Sequence, residues 1–247
     1  MIRFDVMTIF PEYFDILKLS VIGRALNKEL IDVKLHDIRE NSVNKHKKTD
    51  DYPYGGGQGM VMTVQPVYDT YLKIKSSQTP TEKSILVYMS PKGEVLNQNI
   101  AKELSLYDRV CILCGHYEGL DQRVIDEIVD KEVSIGDYVL TGGEIPALVL
   151  IDAVSRLIPG VLSDEEGYIN ESHYEGLLEY PQYTRPEIIL NRKVPEVLLS
   201  GHHENIKRWR YFRSLMITEK NRPDMFSRLE LPESVLREYL KFKQDNG

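Results

Sequence analysis

The 247-residue sequence predicts an α/β fold, a parallel sheet with flanking helices, followed by a small helical C-terminal domain. Three observations predict it. Short apolar runs such as SILVYM (84–89) and RVCILC (109–114) alternate with stretches of helical period, as in βα units that bury their sheet on both faces. Two runs, RVCILC and KEVSI (131–135), break at a glycine, Gly115 and Gly136, and open sheets of this class bind ligands where strands end. From Pro195 onward the pattern is helical, with one break at Arg222-Pro223.

The elements follow in order. IRFDVMTI (2–9) reads as a buried strand. Residues 11–29 read as one helix, with Pro11 in its first turn and Phe14, Leu17, Val21 and Ala25 recurring on one side. IDVKLHDI (31–38) alternates as a half-buried strand does. Residues 40–60 read as a loop ending in a glycine cluster, and IPALVLIDAVSRLI (145–158) as a strongly apolar helix. The stretch 163–180 holds six acidic residues, no basic ones and no sustained period, and reads as an exposed linker. The predicted domains are therefore 1–162, α/β, and 181–247, helical, joined by 163–180.

A chain of this length buries a substantial core without disulfides or metal. No apolar run approaches a membrane span, and the N-terminus reads as a first strand with no leader pattern, so a cytoplasmic protein is expected. Cys111 and Cys114 form a CxxC, but positions i and i+3 of a strand point to opposite faces, which suits two buried thiols better than zinc. The net charge of −7 argues mildly against a nucleic-acid partner. Its distribution argues the other way: Gly201–Arg222 carries six Lys and Arg against two Glu, and Lys45, His46, Lys47 and Lys48 form a second basic cluster.

The two glycine-bounded strand ends suggest one pocket built mostly of main chain, able to hold an adenine and a ribose through N–H and C=O groups. His116, Tyr117 and Glu118 follow the first end, and Glu118 reads as a pocket-shaping residue or a general base. Gly55, Gly56, Gly57 and Gly59 match neither a phosphate loop nor a dinucleotide fingerprint, which leaves a flexible turn or an active-site loop. HHENIKRWRYFR (202–213) interleaves cations and aromatics. Lys207, Arg208 and Arg210 suit phosphates, and Trp209 is either a stacking platform or an anchor of the small domain.

The ordered motifs TIFPEYF (8–14), DDYPYGGGQGMVM (50–62), YMSPKGE (88–94), CGHYEGLDQRV (114–124), SIGDYVLTGGEIPA (134–147), RLIPGVL (156–162), EGLLEYPQYTRP (175–186) and VPEVLLSGHHENIKRWR (194–210) span the whole chain. Together they resemble the bacterial tRNA (guanine-N1-)-methyltransferases, of the knotted SPOUT class that uses S-adenosyl-L-methionine. The resemblance implies a deep trefoil knot, a homodimer with shared active sites, a tRNA substrate methylated at guanine 37 beside the anticodon, and Mg2+ dependence. The sequence by itself specifies no metal site.

By the same resemblance, the methyl donor is held by Tyr88, Ser90, Pro91 and Gly93, by Gly115, Tyr117 and Glu118, and by Ser134, Ile135, Gly136, Asp137, Tyr138, Val139, Leu140, Gly142, Gly143 and Pro146. A positive sulfonium makes Glu118 and Asp137 reasonable neighbours. Arg156 is implied to stabilise charge on guanine O6 as N1 attacks the methyl group. In the family an aspartate takes the N1 proton, in a D-S-x-x-E/D-G-L-L context. Here the aligned position is Glu171, a carboxylate on a stem one methylene longer, with His173, Glu175 and Glu179 as rivals.

Overall fold

The computed structural model describes residues 1–162, 168 and 171–246. The chain divides into two compact units, Met1–Glu165 and Glu166–Gly247. In the first, the strands are β1 (Ile2–Thr8), β2 (Ile31–Asp37), β3 (Asp50–Asp51), β4 (Val61–Met62), β5 (Ser84–Val95), β6 (Arg109–Cys114) and β7 (Lys131–Ser134). The helices are α1 (Ser20–Asn27), α2 (Val64–Ser76), α3 (Gln98–Leu104), α4 (Gln122–Ile128) and α5 (Glu144–Ser155). Five strands form one parallel sheet in the order β2-β1-β6-β5-β7, and β3 and β4 pair antiparallel as a small ribbon.

All six residues of β6 are buried, as expected of a central strand covered on both faces. On one face Met7, Leu86, Tyr88, Cys111 and Leu113 pack against Val67 and Ile74 of α2 and Val124 and Ile128 of α4. Cys111 and Cys114 are free, buried thiols. Burial pushes the Cys111 thiol up to about 12 and raises Cys114 as well, so both behave as small apolar side chains.

The single helix expected over 11–29 is two. A 3-10 helix, Pro11–Lys18, precedes α1. Leu19 is extended and Ser20 has φ of +55°, so helical hydrogen bonding stops at Leu19 and restarts with Gly23 N–H to Leu19 C=O. Strand β5 also outruns its apolar run. Met89 and Glu94 both pair with Val133, and residues 90–93 loop out between them.

The second unit contains a hairpin, β8 (Ile188–Ile189) with β9 (Arg192–Lys193), then α6 (Glu196–Leu199), α7 (His203–Asn221), α8 (Pro223–Phe226) and α9 (Glu233–Asn246). The helical run from Pro195 is thus interrupted at 200–202 and 227–232 as well as at Arg222. Its core is Phe212 and Leu215 of α7 with Tyr239 of α9. Residues 171–180, which read from sequence as linker, fold onto this core. Leu177 packs on it, and the Leu178 N–H donates to Thr218 Oγ1 at 2.9 Å. The rest of that expectation, 163–167 and 169–170, lies outside the described residues.

Candidate active site

The C-terminal ends of β5, β6 and β7 converge on a cavity of about 240 Å³. Three segments wall it: 88–92, 115–120 with Gln122 and Ile125, and 132–135 with 138–143 and Pro146. Of the donor-binding residues expected from sequence, Tyr88, Ser90, Pro91, Gly115, Tyr117, Glu118, Ser134, Ile135, Tyr138, Val139, Leu140, Gly142, Gly143 and Pro146 line this cavity. Gly93, Gly136 and Asp137 do not. A methyl group on Gly93 would lie 2.4 Å from the Glu132 carbonyl carbon, so this glycine seats the loop against β7. Gly136 makes the turn that closes β7, and Asp137 is exposed on it.

The wall has features that sequence order did not show. Glu132, on β7, brings a carboxylate to the cavity that no motif had marked. It acts with burial on Tyr88: burial first, then the Glu132 charge, push that phenol up to about 12, so it stays a neutral hydrogen-bond donor. Tyr117 sits in the left-handed region at φ +59°, a strain on the order of 1–3 kcal/mol of the kind that collects at functional loops. The rim is also tied to the glycine-rich loop: Glu118 N–H donates to Met60 C=O at 3.0 Å, and Met62 N–H to Gly119 C=O at 2.9 Å.

These residues suit a cationic adenosyl ligand. The wall lies at the ends of β5, β6 and β7. Glycines at 115, 142 and 143 stand where a Cβ would collide with neighbours at 2.8 Å or closer. Two carboxylates, Glu118 and Glu132, complement a positive centre.

The sequence model of the family described as tRNA (Guanine-1)-methyltransferase TrmD matches residues 2–228. The chain belongs to this methyltransferase family. A tRNA (guanine-N(1)-)-methyltransferase of Ruminiclostridium cellulolyticum is 58% identical over 228 residues, covering 92% of this chain and 97% of the relative. Those of Clostridium botulinum strain Hall and Clostridioides difficile strain 630 are 51% and 54% identical, over 97% and 92% of this chain and 99% and 98% of theirs.

Other residues singled out in the sequence lie elsewhere. Arg156 caps the C-terminus of α5 and lines a separate apolar groove with Ile16, Leu19, Val149 and Asp152. In the second unit Glu171 is half-buried at the start of the turn 171–180, where its N–H donates to Tyr168 C=O at 3.3 Å. Glu175 is exposed, and His173 holds φ of +76°. On α7, Lys207 pairs loosely with Glu204 at 3.7 Å and Arg208 with Glu238 at 3.1 Å, while the Arg210 guanidinium lies 4.8 Å from the Tyr180 ring centroid. Trp209 is buried against Tyr183, as a packed side chain and not an open stacking platform.

Among the described residues no three His, Cys, Asp or Glu side chains gather as a metal site would require. No helix among them is long and apolar enough to cross a membrane.

Proposed function

We propose that the protein methylates N1 of guanine 37 in tRNA, next to the anticodon. The family match over residues 2–228 carries this reading, and the pocket at the strand ends supports it. Bound there, S-adenosyl-L-methionine supplies a methyl group on a positively charged sulfur. The chain does the rest. Tyr88, Ser90 and Pro91, Gly115, Tyr117 and Glu118, Ser134, Ile135, Tyr138, Val139 and Leu140, with Gly142, Gly143 and Pro146, hold the donor. Glu171 takes the N1 proton, and Arg156 donates to O6, where charge develops as the proton leaves. Lys207, Arg208 and Arg210 meet backbone phosphates.

A homodimer with shared active sites belongs to the same reading. The groove beside Arg156 supports it, because Ile16 and Leu19 there are 60% and 65% exposed, an apolar face that a second copy would cover. The trefoil knot of the family belongs to the same reading. Cytoplasmic placement follows from a tRNA substrate. The test is to map the methylated nucleotide after incubation with an unmodified tRNA transcript and donor. Methylation at another base, or at another atom of guanine 37, would refute it.

A further inference from the structure

Beneath the donor pocket lies a buried polar junction that the reaction does not use. Glu144, the first residue of α5, is 2% exposed. Thr8 Oγ1, at the end of β1, donates to its Oε1 at 2.7 Å, and Oε2 lies 2.8 Å from His116 Nε2. The Phe10 N–H donates to Thr8 Oγ1 at 2.9 Å, which leaves the threonine hydrogen for Glu144. A carboxylate only accepts, so Nε2 carries a hydrogen. The imidazole is further fixed by Phe10, edge-on with centroids 4.9 Å apart.

Two walls of the pocket rest on this pair. A methyl group on Gly142 would lie 2.2 Å from His116 Nε2 and 2.6 Å from Glu144 Oε2, so the 141–143 segment sits directly on the bond. His116 begins the opposite rim, and its N–H donates to Met62 Sδ at 3.3 Å. Removing the imidazole would leave Glu144 Oε2 buried without this donor, a condition that favours movement of the segment above to admit water.

We propose that His116, held by Glu144, is a positioning residue for donor binding. The pair sets the spacing between the 141–143 wall and the 116–119 rim, and thereby the affinity for S-adenosyl-L-methionine, not the rate of transfer. The inference rests on the assignment of this pocket to that donor.

Calorimetric titration of S-adenosyl-L-methionine into the full chain tests it, with turnover of tRNA transcript at saturating donor alongside. His116→Phe is expected to weaken donor binding about tenfold or more, with kcat within about twofold. His116→Gln, whose amide N–H can replace Nε2–H, should recover most of the affinity. Gly142→Ala keeps both residues but drives a methyl onto their bond, and should weaken donor binding as His116→Phe does. It carries the test if His116→Phe fails to fold. Unchanged donor affinity in the folded variants overturns the inference, as does a fall in kcat with affinity intact. A wild-type chain that binds no donor overturns the pocket assignment and this inference together, whereas normal wild-type binding with unaffected variants overturns this inference alone.

Discussion

The amide of Gly143 donates to the carbonyl of Gly115 at 2.9 Å, joining the segment after β7 to the end of β6 by main chain alone. A methyl group at 143 would stand 2.7 Å from Cys114 Cα and 2.9 Å from Gly115 N, and neither backbone atom can turn aside. Gly143→Ala should cost about 1–3 kcal/mol of stability by overpacking and weaken donor binding at least about tenfold. Thermal unfolding and calorimetry check both, and wild-type affinity in the alanine variant would show that the junction does not shape the pocket.

Arg156 lies away from the donor cavity, so Arg156→Ala should leave donor affinity near wild type. Single-turnover transfer should fall by about two orders of magnitude or more, because a cation aimed at O6 acts mainly in the transition state. Rapid-quench assays at saturating donor and tRNA measure this. Wild-type turnover would remove Arg156 from the reaction.

Glu171→Gln should abolish transfer while keeping fold and both binding affinities, and wild-type turnover should rise with pH until proton transfer saturates. Glu171→Asp, which restores the family's usual residue, should retain measurable activity. Glu175→Gln and Glu179→Gln should cost less. If Glu171→Gln turns over normally while Glu179→Gln is dead, the base lies eight residues further along.

Replacing Lys207, Arg208 and Arg210 by alanine should weaken tRNA binding and flatten its salt dependence. The slope of log affinity against log salt should shrink by about 0.7–0.9 for each phosphate no longer neutralised. Arg208 and Arg210 also hold Glu238 and Tyr180, so circular dichroism must accompany the binding curves. An unchanged slope places the tRNA elsewhere.

Within the small unit, Glu219 of α7 accepts from Lys243 and from the Tyr239 hydroxyl, both on α9 and both at 2.6 Å. The Lys243 ammonium first, then Tyr239, hold its carboxyl below the usual glutamate range. A depressed folded-state value means this stabilisation is complete above the ordinary glutamate pKa, about 4.3, and is lost as pH falls through the folded value. Glu219→Gln should lower Tm at neutral pH and blunt the acid-side decline. Parallel Tm–pH curves for the two proteins would argue against the clasp.

Strand β6 was legible to the residue, because VCILC is apolar throughout behind Arg109 and gives way to Gly115. The break at Leu19 was not, because Phe14, Leu17 and Ala25 keep their buried face across it, and periodicity cannot register a turn that preserves the face. The hairpin of β8 and β9 was hidden for a similar reason. Its tip, Leu190-Asn191, takes positive φ at both residues without a glycine to announce it. At the site, backbone contacts followed from where the strands stop. Glu132 was missed, and His116 was named without its partner, because their neighbours come from distant chain positions: His116 meets Glu144 across 28 residues. Trp209 carried the sequence signature of a stacking platform equally well, and only packing against Tyr183 decided its place.

Because Met89 and Glu94 share Val133 as partner, the excursion of residues 90–93 is decoupled from the sheet it leaves. A residue gained or lost there changes the reach of the rim without shifting strand pairing on either side. Gly93 pins the far end against β7, so any such change is expressed at Ser90–Lys92, over the cavity mouth. Loop length can therefore change at the cavity mouth while the framework beneath keeps its alignment.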